Sequence, residues 1–191
     1  MAGGTSRGRQ FGASRGGRGR AEDEQPGGHP EDPPGDPELV ARSICLKLLT
    51  MSPKTRAQLA QALAAKGIPP EAAELVLDRY TEVGLIDDDA FAQAWVSTRQ
   101  TGRGLATRVL AQELQRKGID KDVAGRALAT LDPADEEQSA RELVKRRLRS
   151  MRGLEPHVAT RRLLGMLARK GYPSDVAFRV IRDEIPGSRF T

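Results

Sequence analysis

Cysteine is almost missing from this chain of 191 residues; the single one, Cys45, sits among Ile44, Leu46 and Leu48. No disulfide framework can therefore form within one chain. Histidine is nearly as scarce, with His29 and His157 far apart. One Cys and two distant His cannot assemble a zinc site. Beyond the first 36 residues His157 stands alone, expected as a solvated residue on the first turn of its helix, so no nucleophile–base pair can be drawn. Nothing resembles a Gly-rich turn leading into Gly-Lys-Ser/Thr, and Gly102 with Gly104 is too weak a signal for a phosphate loop. Apolar runs are far too short for a membrane span, and no signal peptide is expected. These absences predict a soluble, cytoplasmic protein without catalytic residue, metal ion or cofactor. Aromatics make up only 4%. With Ala, Leu, Arg, Lys and Glu plentiful, that favours helices over strands.

Charge is present in quantity and is unevenly placed. Residues 1–36 hold five Arg against six Asp/Glu, a net of −1, and residues 37–102 hold seven basic against eight acidic, again −1. Residues 103–132 hold six against four, or +2, and residues 133–191 thirteen against eight, or +5. A basic excess at the C-terminal end suits a polyanion or an acidic protein surface, or is a solvated helix face.

An internal repeat organises the body. Lys66-Gly67-Ile68, Lys117-Gly118-Ile119 and Lys170-Gly171-Tyr172 stand 51 and 53 residues apart. Each follows a leucine pair: Leu59/Leu63, Leu110/Leu114 and Leu163/Leu167. Each precedes a short helix of one pattern, Glu71-Ala-Ala73, Asp122-Val-Ala124 or Asp175-Val-Ala177 with two apolar residues further on. Glycine after a leucine-faced helix is the left-handed C-cap, and the apolar residue behind it packs back on the last turn. A period this regular is read as tandem modules that stack on their neighbours.

The predicted organisation follows. Residues 1–36, Arg/Gly-rich and then acidic and Pro-rich, cannot offset the entropy of ordering and form a tail, either solubilising or in contact with nucleic acid. A first three-helix module spans 37–84, opened by Asp36 before Pro37, with Val40, Ala41, Ile44, Cys45 and Leu48 inward and Thr55 with Gln58 as a capping box. Ala73, Val76, Leu77 and Tyr80 share a face of its third helix, which stops at Gly84. A second module spans 85–131. Asp87 caps its first helix, Asp88 and Asp89 place charge in the first turn, and Ile86 with Phe91 forms a hydrophobic staple. Arg99, Arg103 and Arg108 fall between its first two helices. A third module spans 132–185, opened by Asp132 before Pro133, with Ala140, Leu143, Val144 and Leu148 inward; residues 186–191 fray. The fold class is all-α: nine helices in three helix-turn-helix-like modules forming an elongated, curved body.

Two candidate features remain. The run Asp87-Asp88-Asp89 is a poor metal site, because consecutive residues at a helix start point apart, and capping explains it. Tyr80, Phe91, Trp95, Tyr172 and Phe178 all fall on apolar faces at helical spacing, which predicts core packing rather than a stacking platform.

Gly84-Leu-Ile-Asp-Asp-Asp-Ala-Phe-Ala-Gln-Ala-Trp95, then Arg99, Gly104, Glu113-Leu114 and Lys117-Gly118-Ile119, resembles the signature of the RecX family of bacterial recombination regulators. In that motif Gly84, Asp87, Asp88, Phe91, Ala92, Trp95, Leu110, Leu114 and Gly118 are structural positions. The resemblance covers about Glu38 to Ile185; the Gly/Arg-rich tail has no counterpart in it. It implies a monomeric, non-enzymatic protein that binds RecA and RecA-bound single-stranded DNA. Such a protein restrains filament growth, ATP hydrolysis, strand exchange and co-protease activity. On this reading the groove-facing candidates are Arg99, Arg103, Arg108, Arg116, Lys117, Lys145, Arg146, Arg147, Arg149, Arg161, Arg162, Arg169 and Lys170. Lys117 and Lys170 alternatively only complement the helix ends beside them. The rival reading is a direct DNA-binding regulator built from tandem helix-turn-helix units, expected to bind duplex DNA tightly without RecA.

Overall fold

The computed structural model describes residues 35–185; the expectations for the tail and for the frayed C-terminus lie outside that range. Among the described residues there are nine α-helices and no strand. They are α1 (Pro37–Met51), α2 (Arg56–Ala64), α3 (Pro70–Glu82), α4 (Asp88–Arg103), α5 (Thr107–Arg116), α6 (Lys121–Leu128), α7 (Pro133–Arg149), α8 (Pro156–Arg169) and α9 (Ser174–Glu184). None is long and apolar enough to cross a membrane.

The helix starts are local chemistry. Asp36, Asp120 and Asp132 each accept from the amide two residues on, and Asp87 Oδ1 accepts from Ala90 N at 2.8 Å. Thr55 and Gln58 close the expected capping box. The ends are as regular. After α2, α5 and α8 the glycine amide bonds back to Ala64, Gln115 and Ala168, and the following amide to Leu63, Leu114 and Leu167. This paired pattern requires the glycine's positive φ, which is 73° at Gly67, 74° at Gly118 and 87° at Gly171.

Helices pack in threes around three apolar clusters: α1, α2 and α3; α4, α5 and α6; α7, α8 and α9. The leucine pairs Leu59/Leu63, Leu110/Leu114 and Leu163/Leu167 are fully buried, one pair per cluster. Cys45 is buried in the first, where loss of water pushes its thiol pKa up.

The Lys-Gly turns also join the modules. Thr55, the N-cap of α2, donates its hydroxyl to the Lys117 carbonyl at 2.7 Å, and a Cβ on Gly118 would stand 2.2 Å from Ala57 Cβ. One module further on, the amide of Ala106, the N-cap of α5, donates to the Lys170 carbonyl at 2.9 Å. A Cβ on Gly171 would there stand 2.5 Å from Val109 Cγ2. Each turn thus docks on the start of the second helix of the preceding module. Gly67 ends the second helix of the first described module, and a Cβ there would meet nothing within 4 Å.

Several expectations fail for tertiary reasons. Val40 is 42% exposed, because α1 turns Ala41 and Cys45, not Val40, toward α3. Ile86 is buried in the first cluster while Phe91 packs on the second, so the chain passes from one core to the next where a staple was expected. Arg99 and Arg103 belong to α4 and Arg108 to α5, since α4 continues through Gly102 to a left-handed cap at Gly104. Phe178 is 43% exposed, and Phe91 and Trp95 are only half buried.

Candidate nucleic-acid interface

Cations in this fold divide by what they touch. Arg56 is bound by Glu74 and Asp78, linking α2 to α3. Arg141 reaches Glu137, Asp183 and Glu184 at 3.2 Å each, tying α7 to α9. These arginines are spent on packing. By contrast Arg103, Arg108, Arg116, Arg146, Arg147, Arg149, Arg161, Arg162 and Arg169 take part in no ion pair among the described residues.

Four of the unpaired group converge. Arg147 near the end of α7 and Arg161, Arg162 and Arg169 on α8 line one cavity of about 570 Å³ with Met151, Gly165 and Met166. Among the described residues no carboxylate lines it. A Cβ on Gly165 would sit 3.4 Å from Arg169 Nη1, so a longer side chain would enter the cleft. Glycine inside a helix costs about 1 kcal/mol relative to alanine, and here it leaves room for a ligand to approach the backbone. Guanidinium forks gathered without counter-charge are suited to phosphate oxygens.

A second basic group lies at the junction of the later modules. Lys170 Nζ donates to the Arg103 carbonyl, at the end of α4 rather than of its own helix. Burial lowers the Lys170 pKa, and Arg146 and then Arg103 push it the same way. Tyr172 donates to the Gly104 carbonyl at 3.2 Å, and its phenol is pushed up to about 12 by burial and by Glu136. Lys170 is therefore partly structural, while Arg103 and Arg146 extend the field outward.

The remaining candidates scatter. Lys145 lies 3.6 Å from Glu184, and Arg108 and Arg116 project from the two ends of α5. Arg149 is exposed at the end of α7 without entering the cleft. Arg99 lies 3.9 Å from Glu113 with its guanidinium carbon 4.1 Å from the Trp95 ring centroid, and Lys117 Nζ is 3.9 Å from the same centroid. Sequence reasoning passed over Lys54, which faces this aromatic group from the turn before α2. Its place just ahead of the Thr55 cap was the available signal.

Comparison with known proteins gives a consistent result. Residues 41–79, 87–128 and 135–181 match the first, second and third three-helix domains of RecX. The chain is 55% identical over 154 residues to the regulatory protein RecX of Streptomyces coelicolor, covering 81% of this chain and 82% of that one. It is 53% identical over 152 residues to the protein of the same name from Thermobifida fusca, covering 80% and 82%. A crystal structure of RecX from Lactobacillus salivarius superposes with a TM-score of 0.70 at 19% identity, over 78% of this chain and 96% of that one. A second crystal structure, of a regulatory protein RecX, gives 0.67 at 26% identity over 78% and 72%.

Proposed function

This chain belongs to the RecX family of regulatory proteins, and from that premise we propose that it binds RecA and the filament RecA forms on single-stranded DNA. In this reading it acts by occupancy. Bound along the filament, it restrains extension, ATP hydrolysis, strand exchange and co-protease activity without chemistry of its own. The observation that carries the reading is the arginine cleft of α7 and α8, four guanidiniums without a carboxylate among them. Contacts of that kind go to phosphates and are independent of base sequence, which suits a protein that must act wherever a filament forms. Arg103 and Arg146 form a second basic group, close enough to Lys170 to lower its pKa.

The test is ATP hydrolysis by RecA on single-stranded DNA, titrated with this chain well below one copy per RecA. Inhibition at such ratios supports action on the filament. Inhibition only when the chain saturates the DNA means competition for the strand and overturns the reading. Tight, sequence-dependent binding to duplex DNA with no effect on RecA transfers the chain to the DNA-binding alternative.

A further inference from the structure

A groove of about 760 Å³ lies where the end of α1 and the turn into α2 face α4. Its apolar surface comprises Leu49, Pro53 and Leu85 with the half-buried rings of Phe91 and Trp95. The rings are stacked, their centroids 5.8 Å apart and their planes within 11°. Lys54, Arg99 and Lys117 line the same space. Among the described residues the lining holds one carboxylate, Asp87, whose Oδ1 already caps Ala90 N. Glu113, outside the lining, fixes Trp95 by accepting from its indole Nε1 at 2.8 Å. Among the described residues neither Lys54 nor Lys117 has an ion-pair partner. Desolvation lowers the Lys117 pKa, and Arg99 and Lys54 push it further down against a weaker pull from Glu113.

The walls are fixed to one another. Thr55 holds the Lys117 carbonyl, Arg56 N donates to Asp88 Oδ1 at 3.0 Å, and Gly118 leaves no gap over Ala57. A pocket already formed at a module junction needs little ordering to bind. Its apolar floor calls for an aliphatic or aromatic side chain, and its unanswered cations call for carboxylate. Lys117 Nζ at 3.9 Å and Arg99 Cζ at 4.1 Å stand over the indole face, so an entering side chain meets the ring edges together with Leu49, Pro53 and Leu85, and a nucleic-acid base, which needs the open face, fits less well.

We propose that this groove docks a short acidic segment of the protein partner, with an apolar side chain against Phe91 and Trp95 and a neighbouring carboxylate held by Lys54 and Lys117. The inference rests on the regulatory reading and deepens it. The groove takes the protein partner, and the arginine cleft of α7 and α8 takes the nucleic acid.

Trp95 is the only tryptophan in the chain, so its emission reports the groove directly. The full chain is titrated with the blocked hexapeptide Glu-Leu-Asp-Phe-Asp-Glu, with its counterpart carrying Gln and Asn for the acids, and with oligodeoxythymidylate. The acidic peptide is expected to change Trp95 emission saturably, and the amide peptide to bind at least about tenfold more weakly. Lys54→Glu is expected to weaken the acidic peptide by about tenfold or more while leaving helical content and oligonucleotide binding unchanged. Equal affinity for both peptides, no response to either, or an oligonucleotide response abolished by Lys54→Glu overturns the proposal; the last makes the groove a nucleic-acid site. RecA ATP hydrolysis is measured on the same preparations. If the acidic peptide binds as expected while RecA is unaffected, the RecA reading fails and the groove stands.

Discussion

Replacing the three turn glycines one at a time by alanine separates the two tasks these residues perform. Gly67, Gly118 and Gly171 all lie in the left-handed region, with φ of 73°, 74° and 87°. Alanine there costs about 1–2 kcal/mol from its Cβ against the backbone, at all three positions alike. The surroundings differ. At Gly67 the new methyl meets nothing within 4 Å, whereas at Gly118 it would stand 2.2 Å from Ala57 Cβ and at Gly171 2.5 Å from Val109 Cγ2. Overpacking of that severity adds about 1–3 kcal/mol, or forces the two modules apart. Gly67→Ala is therefore expected to lose about 1–2 kcal/mol, and Gly118→Ala and Gly171→Ala about 2–5 kcal/mol. Losses of that size are a large fraction of the stability of a small helical unit. Urea unfolding followed by far-UV circular dichroism measures helix content, and Trp95 emission follows the second module separately. Three equal losses would refute the reasoning, because the glycines would then serve only as helix caps and the turns would not be the joints between modules.

Other consequences concern single groups. Burial, the largest effect, raises the Asp88 pKa, and the Arg56 amide and charge oppose it. A carboxylate raised in the folded state favours folding below its ordinary pKa and weakens it as pH rises through the folded value. Asp88→Asn keeps the acceptor for Arg56 N, so its melting temperature should exceed that of the parent at pH 7 and match it near pH 3. Tyr172, its phenol held up to about 12, contributes stability that is lost as pH rises from its ordinary value of 10.0 through that range. Tyr172→Phe should show a flatter alkaline unfolding profile than the parent. Thr160 Oγ1 is buried without a hydrogen-bond partner among the described residues, and Thr160→Val should raise stability by about 1 kcal/mol in the same urea titration. Reversing Arg146, Arg147 and Arg149 together should weaken inhibition of RecA with helicity unchanged; unaltered inhibition removes the end of α7 from the interface.

The legible part of this fold is the local part. Asp36 before Pro37, Thr55 with Gln58, Asp87, and Asp132 before Pro133 act on amides two or three residues away, and each marks a true helix start. The leucine pairs and Lys-Gly turns are equally short-range, and they reveal three modules. What the sequence hid depends on what lies opposite. Val40 has the same spacing as its buried neighbours and is exposed because α3 meets the other side of α1. Phe91 and Trp95 sit at core spacing, yet the turn from α1 to α2 leaves a groove over them instead of a third layer. The charge count could not tell Arg141, bound by three carboxylates, from Arg147 six residues on, because two of those acids, Asp183 and Glu184, come from α9. The glycines announced caps, while their second task as joints needs the preceding module in place.

The central claim is that the unpaired arginines of α7 and α8 bring this chain onto DNA held by RecA. Arg147→Glu, Arg161→Glu and Arg162→Glu combined remove three of the four guanidiniums of the cleft without touching an ion pair or a buried side chain. Parent and variant are compared as inhibitors of RecA ATP hydrolysis on single-stranded DNA at two salt concentrations. The parent should inhibit below one copy per RecA and weaken steeply with salt, and the variant should need at least about tenfold more protein with a shallower salt dependence. A folded variant as potent as the parent at both salts would contradict the account.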